Sequence, residues 1–433
     1  MRRNSLKNIR KFDPIPNFIP FCAVLLFEIY GLAITFGGPF FEVGYFLLVV
    51  ISQTFAGAYI WAQMRQSDKT LPLPELLAMG FAIGSASAAI AQLIIRDLFG
   101  IRIFLSPLVP IIGVAIRLLT KRHPKTPVII THATTNTLLW LLFPAPLAMS
   151  FFIWELQVIF ILPLFIFVLL YNRSKRTNYY SLTLIIFSLV AIFSLVVETT
   201  FKESIARTLS GWDEIFDEAL SIGFSNWGIN EHIGRVGNSI AYYKLSHLWL
   251  GPTLELIGAS PMVISVSVVP LIVFTFLGLS LWTLSHQIYM SSFSAGIASV
   301  LVFVQHSLPE PENFSIRIAQ CLVLIYSLAA LKALVNSWPN RYQKSIVAPT
   351  VFFVVFSTRA QFGLILLFGY SIYELNLFLH KKTLLKDYVL TMAAIASSLA
   401  ICFLIFFNEP AHAMGSPNQG SAINLIYLLA WSY

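Results

Sequence analysis

A short polar segment in a very apolar chain holds the residues best suited to chemistry. Within WDEIFDEALSIGF, four carboxylates fall in six residues, at Asp213, Glu214, Asp217 and Glu218. A helix would place Asp213 over Asp217, and Glu214 over Glu218, because residues four apart share a face. Burial near lipid raises the pKa of a carboxyl group, which suits a general base. The spacing therefore predicts a short amphipathic helix that lies on the membrane and carries carboxylates suited to a general base.

Cationic and aromatic side chains follow these acids along the same segment. Arginine, lysine and protonated histidine are common partners of a phosphate group. Cations beside carboxylates at a lipid surface suit a phosphate on a lipid carrier, so we predict a substrate-binding set here. Its members are Glu218, His232, Arg235, Tyr242, Tyr243, Lys244 and His247, with Arg359 from a later polar break in an apolar run.

The composition of the whole chain predicts a membrane protein. Of its 433 residues, 57% are hydrophobic and 11% are charged, and the mean hydropathy is +0.77. A soluble protein carries roughly a quarter charged residues. Long apolar runs recur from end to end, so the predicted fold is all-α, a polytopic transmembrane helical bundle of about 11–13 spans.

Clusters of basic residues predict how the chain crosses the membrane. RRNSLKNIRK opens the chain, and TKRHPK, NRSKR and HKKTLLK separate apolar runs. Such clusters lie on the cytoplasmic side, beside anionic lipids, so we expect a cytoplasmic N-terminus. The clusters are short and lack interleaved aromatic residues, which argues against nucleic acid as a partner.

Counting apolar runs divides the chain into two membrane modules. Six crossings bring the chain back to the cytoplasm and define a module over residues 1–176. A seventh run then leads outward and places residues 199–247 in a long external loop, within a second module over residues 177–433. The predicted spans are 18–36, 43–63, 75–95, 101–119, 127–143, 151–171, 181–197, 261–284, 318–335 and 388–407.

Several features of these runs leave alternatives or predict packing. The stretch SIAYYKLSHLWLGPTLELIG either lies along the interface or makes a short crossing. The final run, AINLIYLLAWSY, is too short to cross, so the C-terminus is either a stub or truncated. Gly80 and Gly84, four residues apart, predict a close helix contact. The three cysteines, Cys22, Cys321 and Cys402, lie far apart in apolar runs and predict buried thiols.

The polar segment and its flanks resemble a known superfamily. An outward span, a loop with Trp-Asp-Glu, a short amphipathic helix, a Tyr-rich apolar helix and LIGASPMVISVSVVP are similar to membrane glycosyltransferases of the GT-C type. The closest resemblance is to bacterial relatives of dolichyl-phosphate-mannose and aminoarabinose transferases. It covers residues 181–285 well and the later spans only in hydropathy.

The resemblance implies a reaction and a role for each matching residue. Asp213 matches the acid taken as the base that deprotonates the acceptor hydroxyl, Glu214 its neighbour, and Asp217 a second polar position. Tyr242 and Tyr243 stand where many relatives carry Tyr-His, so this chain departs there. The implied donor is a polyprenyl-phosphate-linked sugar, and the acceptor a glycan, lipid or protein. We expect no cofactor or metal, although Asp213 with Asp217 could hold a divalent cation.

Two other classes of protein fit the same composition. A polytopic transporter or lipid-linked glycan flippase predicts broken helices and charges at the membrane midplane. A non-catalytic subunit that recruits a synthase predicts a loop used for docking. The chain has no Walker A, HExxH, GxSxG or CxxC motif, so ATP-driven, zinc-protease, α/β-hydrolase and thiol-redox classes have no support.

Overall fold

The computed structural model describes the chain in separate stretches, all of them helical or linking helices. Helix accounts for 92% of the described residues, and none of these residues lies in a strand. The all-α prediction is therefore confirmed for this part of the chain. The described residues are 39–65, 71, 73–101, 105–120, 212–229, 244–259, 264, 268–289, 314–335, 341–380 and 384–406.

Ten α-helices make up most of these stretches. A short π-helix, Leu93–Leu98, extends the second of them, and a single 3-10 turn, Ser106–Leu108, precedes the third. The helices are α1 (Phe40–Arg65), α2 (Leu73–Gln92), α3 (Val109–Thr120), α4 (Trp212–Trp227), α5 (Leu245–Ile257), α6 (Val269–Tyr289), α7 (Phe314–Val335), α8 (Arg341–Thr358), α9 (Ala360–Leu379) and α10 (Leu385–Phe406).

Among the described residues, four segments are long and apolar enough to cross a membrane. They are Phe40–Arg65, Glu75–Asp97, Ala360–Leu379 and Leu385–Phe406. Crossing needs about 20 apolar residues at the 1.5 Å rise of a helix. Large apolar side chains point outward from α9 and α10, as a lipid-facing surface requires: Phe368 is 71% exposed and Leu404 is 59% exposed. Helix length and composition thus indicate a membrane protein.

Helices α1 and α2 cross at a close contact between their backbones. A Cβ atom added to Gly84 would lie 2.1 Å from the carbonyl oxygen of Gln53, and one added to Gly57 would lie 2.0 Å from that of Gly80. No side chain fits at such distances, so glycine is required at both positions. The predicted contact through Gly80 and Gly84 is confirmed, with Gly57 as the facing residue.

Helix α2 lies at the centre of the described bundle. It packs against α1, α3, α5, α6 and α7. Phe81 of α2 stacks on Phe276 of α6, with ring centroids 4.1 Å apart and planes within 5°. Tyr326 of α7 donates a hydrogen bond of 3.0 Å to the Ser85 hydroxyl of α2. Contacts therefore cross the predicted module boundary at residue 176, and one continuous hydrophobic core includes both sides.

Helices α8, α9 and α10 form the other end of that core. Ser398 of α10 donates a hydrogen bond of 2.7 Å to the Pro349 carbonyl, inside α8. The Ser357 hydroxyl lies 3.1 Å from the Cys402 thiol, which is fully buried. Cys321 is also buried, so the prediction of buried thiols is confirmed for these two, and Cys22 lies outside the described residues.

Where the predicted spans fall within the described residues they correspond to helices, but the first and last residues differ. The spans at 43–63, 75–95 and 318–335 fall inside Phe40–Arg65, Glu75–Asp97 and Phe314–Val335. The span predicted at 261–284 is observed as Val269–Tyr289, because a continuous apolar run does not itself mark where a helix begins. The predicted spans at 18–36, 127–143, 151–171 and 181–197 lie outside the described residues.

Candidate functional site

The acidic segment begins a helix, as its spacing predicts. Asp213, Glu214, Asp217 and Glu218 all lie in the first half of α4, Trp212–Trp227. The positions of side chains are described from Ala219 onward. Four carboxylates at the N-terminal half of a helix are favoured by the helix dipole, whose positive end lies there.

The second half of α4 packs against other helices of the chain. Leu220 and Phe224 are fully buried, and α5 is the main neighbour of α4. The contact is close, because a Cβ atom added to Gly251 of α5 would lie 1.8 Å from the Ser221 carbonyl oxygen. The apolar face of residues 219–226 is therefore covered by α5, and the position of α4 at the membrane surface stays a prediction.

Helix α5 is embedded in the bundle. Every residue from Leu245 to Leu254 is buried. Trp249 packs edge-on against Phe81 and Phe46 and donates a hydrogen bond of 3.0 Å to the side chain of Gln53. Its 13 residues give a length of about 20 Å, less than the roughly 30 Å of a bilayer core. Helix α5 is therefore a short helix that packs among α1, α2 and α4, and whether it crosses the membrane or lies along the interface stays a prediction.

A line of polar contacts joins α4 to α5, and we call it the α4–α5 seam. The Ser221 hydroxyl lies 2.9 Å from Nδ1 of His247, a side chain that is buried. Further along both helices, Ser225 and Asn226 each donate a hydrogen bond to the Glu255 carboxylate. Buried polar groups need such partners, so the seam explains how His247 and Glu255 are accommodated within an apolar bundle.

The order of contacts in the seam shows that α4 and α5 run in the same general direction. Ser221 pairs with His247, and the later Ser225 pairs with the later Glu255. Lys244, which is 1% exposed, precedes His247 by one turn. Asp217 precedes Ser221 by one turn. The charge of Lys244 acts on Asp97, which binds the Ile229 N–H just beyond the C-terminal end of α4.

Two residues from the far end of α2 hold the C-terminal end of α4. Arg96 donates a hydrogen bond of 2.7 Å to the Asn226 carbonyl oxygen. The Ile229 N–H donates to Oδ1 of Asp97 at 2.8 Å. The positive charges of Arg96 and Lys244 both act on the Asp97 carboxylate. Charged side chains from the end of α2 and the start of α5 therefore act together near the C-terminal end of α4.

Arg359 occupies a different junction. It links α8 to α9, where its N–H bonds to the Val355 carbonyl oxygen at 2.9 Å and its own carbonyl oxygen accepts from Gly363 at 3.2 Å. Among the other predicted substrate-binding residues, Lys244 and His247 are brought together with α4. His232, Arg235, Tyr242 and Tyr243 lie outside the described residues.

Two ion pairs, one buried and one partly buried, are further polar sites whose pairing the sequence did not predict. Lys332 of α7 lies 3.1 Å from Glu75 of α2, whose other carboxylate oxygen accepts from Trp61 at 3.1 Å. Lys344 of α8 lies 2.6 Å from both carboxylate oxygens of Glu374 in α9. A charged residue inside an apolar run is the signal that could have found them, since it needs a partner there.

The same signal marks Arg96 and Asp97, which end an apolar run in IIRDLFG. Their contacts with residues 226–229 are long-range in sequence and could not be read from spacing. Among the described residues, no group of three or more histidine, cysteine, aspartate or glutamate side chains could hold a metal ion. The side chains of Asp213 and Asp217, the candidates for a divalent cation, lie outside that search.

Comparison with known proteins adds no relative. No protein-family model, no curated protein and no solved structure matches this chain. Its residues and their geometry are therefore the grounds for any functional proposal.

Proposed function

We propose that this chain is a membrane glycosyltransferase of the GT-C type. It transfers a sugar, with inversion, from a polyprenyl-phosphate-linked donor to a glycan, lipid or protein acceptor. The reaction takes place on the external side of a bacterial cytoplasmic membrane. The proposal rests on the pattern of residues 181–285 in the sequence and on how α4 is held.

The observation that supports it best is the anchoring of the acidic helix. A general base works only if its position relative to the substrate is fixed. The second half of α4 is held by Ser221 to His247, by Ser225 and Asn226 to Glu255, and by Arg96 and Asp97 at its end. Carboxylates on a helix that is held in this way suit catalysis better than carboxylates on a mobile loop.

In the proposed reaction, Asp213 accepts the proton of the acceptor hydroxyl. The hydroxyl oxygen forms a bond to the anomeric carbon as the bond from that carbon to the lipid phosphate oxygen breaks. The phosphate leaves with the bonding electron pair. General-base catalysis contributes roughly 10²–10⁴-fold, and orientation of the two substrates contributes more.

The remaining residues bind the two substrates. Arg235, Lys244 or Arg359 neutralises the phosphate, because a cation stabilises the charge that develops on the leaving group. Glu310 or Glu312, which also lie outside the described residues, borders the acceptor. The N-terminus lies in the cytoplasm in this arrangement, as the basic loops predict.

The deciding experiment measures sugar release by the purified full-length protein. Radiolabelled polyprenyl-phosphate sugars serve as donors for the wild type and for Asp213→Asn. We expect kcat to fall by about 10²–10⁴-fold in the variant, with donor binding retained. Asp387→Asn, which removes a carboxylate from the first turn of α10, is the matched control and keeps full activity. An Asp213→Asn protein with wild-type turnover would contradict the assignment of the base.

A second candidate function is transport of a substrate or a lipid-linked glycan. The Glu75–Lys332 and Glu374–Lys344 pairs and the short helix α5 favour it, because transporters use intramembrane charges and short helices. Absence of turnover with every donor, together with substrate-dependent flux in proteoliposomes, would favour the transporter.

A further inference from the structure

The C-terminal end of α4 is capped by another helix. The last carbonyl groups of a helix lack partners within it. In a common helix ending, the second residue beyond the helix donates its N–H back to the last turn. In α4 the Gly228 N–H bonds to the Phe224 carbonyl at 3.1 Å, whereas the Ile229 N–H bonds to Asp97. The Asn226 carbonyl accepts from Arg96, so α2 supplies both the acceptor and the donor.

The end of α2 has the shape this cap needs. Residues Leu93–Leu98 form a π-helix, a wider turn that often occurs at functional sites. The Phe99 N–H bonds to the Ile94 carbonyl at 3.1 Å, which is the spacing of a π-turn. The adjacent side chains of Arg96 and Asp97 both reach the end of α4 from this turn.

Gly228 shows how closely the two helix ends fit. Its φ is +93°, a conformation that favours glycine. A Cβ atom at this position would lie 2.7 Å from Oδ1 of Asp97. A side chain at residue 228 would therefore push Asp97 away from the Ile229 N–H, and glycine is needed both for the turn and for the approach of Asp97.

The charges of the cap match the end that they hold. The C-terminal end of a helix carries partial negative charge, which favours the guanidinium of Arg96 there. Asp97 accepts from Ile229 and lies within the electrostatic influence of both Arg96 and Lys244. Hydrogen bonds with one charged partner are stronger than neutral ones, so the bond from Arg96 to the Asn226 carbonyl is of the stronger kind.

We propose that Arg96 and Asp97 are positioning residues for the acidic helix α4. They belong to the predicted N-terminal module, yet they fix one end of the helix that carries Asp213. This inference rests on the proposed glycosyl transfer, because it assigns α4 the reacting carboxylate. The N-terminal helices would then contribute to the reaction by positioning α4.

The length of α4 makes its anchoring important. Asp213 and Asn226 are separated by about 20 Å along the helix, at 1.5 Å per residue. A tilt of about 10° at the anchored end would move Asp213 by about 3.5 Å over that length. Reacting atoms must lie about 3–3.5 Å apart, and a misplacement of about 1 Å can cost 10²-fold in rate.

Two readouts on the full-length protein test the proposal. The first is cross-linking of Phe99→Cys to Trp227→Cys by a short bismaleimide, with Cys22, Cys321 and Cys402 replaced by alanine. Phe99 is 69% exposed and Trp227 is 57% exposed, so both sites are accessible. We expect efficient cross-linking with Asp97 present and about tenfold less with Asp97→Ala, because loss of the cap frees the helix end.

The second readout is the split between kcat and KM for the lipid-linked donor. In Asp97→Ala we expect kcat to fall by about 10²-fold, with KM for the donor unchanged. Asp97→Asn keeps an oxygen that accepts from Ile229, so it restores both cross-linking and kcat. Gly228→Ala should reproduce Asp97→Ala without removing a charge, and it serves if Asp97→Ala fails to fold. Asp387→Ala is the matched control.

The outcomes separate this proposal from the proposed function. Wild-type cross-linking in both Asp97→Ala and Gly228→Ala would overturn the anchoring. Loss of cross-linking with unchanged kcat would overturn its part in the reaction. If the wild type itself transfers no sugar, the proposed function fails, while the cross-linking data still decide whether Asp97 holds α4.

Discussion

The Glu75 carboxylate and the Lys332 ammonium group form an ion pair of 3.1 Å that joins α2 to α7. Their side chains are 5% and 8% exposed, so both charges are largely removed from solvent. Trp61 donates to the second carboxylate oxygen, and Arg65 lies 4.0 Å from it. The pair links helices on both sides of the predicted module boundary.

Breaking this pair should destabilise the bundle strongly. Removing one member leaves the other charge buried without its partner, which costs about 3–5 kcal/mol. We expect Glu75→Gln and Lys332→Met each to lower the free energy of unfolding, measured by denaturation in mixed micelles. The double variant should lose less than the sum of the two, because neither charge is then left alone. Lys386→Met, at an exposed position of α10, is the control for loss of a lysine.

Adding a methyl group at the α1–α2 crossing should separate the two helices. In Gly84→Ala the new Cβ would meet the Gln53 carbonyl oxygen at 2.1 Å, so the backbones must move apart. Overpacking of this kind costs about 1–3 kcal/mol. Gly369→Ala in α9 is the matched control, since no atom lies within 4 Å of its added Cβ. Equal thermal unfolding midpoints for the two variants would contradict the crossing.

The contact between Ser221 and His247 should appear as an energetic coupling. A double-mutant cycle with Ser221→Ala and His247→Phe should give a coupling energy of about 1 kcal/mol in unfolding. Ser221→Ala with Glu255→Gln is the control pair, because Glu255 contacts Ser225 and Asn226 instead. Similar coupling in both cycles would mean that the seam responds as a unit and that the individual hydrogen bond cannot be assigned.

The outward face of α9 should contact lipid. Phe368 is 71% exposed, whereas Leu366, two residues earlier, is 6% exposed. A spin label at Phe368→Cys should be relaxed by oxygen, which partitions into lipid, and only weakly by a water-soluble nickel complex. A label at Leu366→Cys should respond weakly to both, because that position is buried. Strong relaxation by nickel at residue 368 would place this face in water.

Hydropathy predicted the long helices because their apolar runs are set by local composition. The runs at 43–63 and 75–95 lie within helices of the structure, and so does the 318–335 run. Glycine spacing also predicted a close helix contact through Gly80 and Gly84, but it did not identify α1 as the partner.

Helix α5 shows what local composition cannot settle. Its sequence holds Lys244, His247 and Glu255 among apolar residues, and these suggested an interfacial helix. In the structure, His247 and Glu255 find partners on α4 and the helix is buried. Whether a polar residue lies in water or in the bundle depends on that partner, which is distant in sequence.

The candidate site, like the fold, could be predicted from the sequence only in part. The carboxylates of α4 stand out in the sequence, as does the helix that bears them. Arg96 and Asp97 do not stand out in the sequence, because their contacts with the end of α4 form only when the chain folds. Their contacts with Asn226 and Ile229 join parts of the chain that hydropathy assigned to separate modules.

The glycine crossing of α1 and α2 bears on how the chain is assembled during synthesis. Only residues 66–72 separate the two helices, so closing this loop costs little entropy. The contact through Gly57, Gly80 and Gly84 needs no later segment. We therefore expect the hairpin to form as soon as α2 has entered the membrane. Phe81 and Ser85 would then lie on a preformed surface, and the helices that are synthesised later can pack against it.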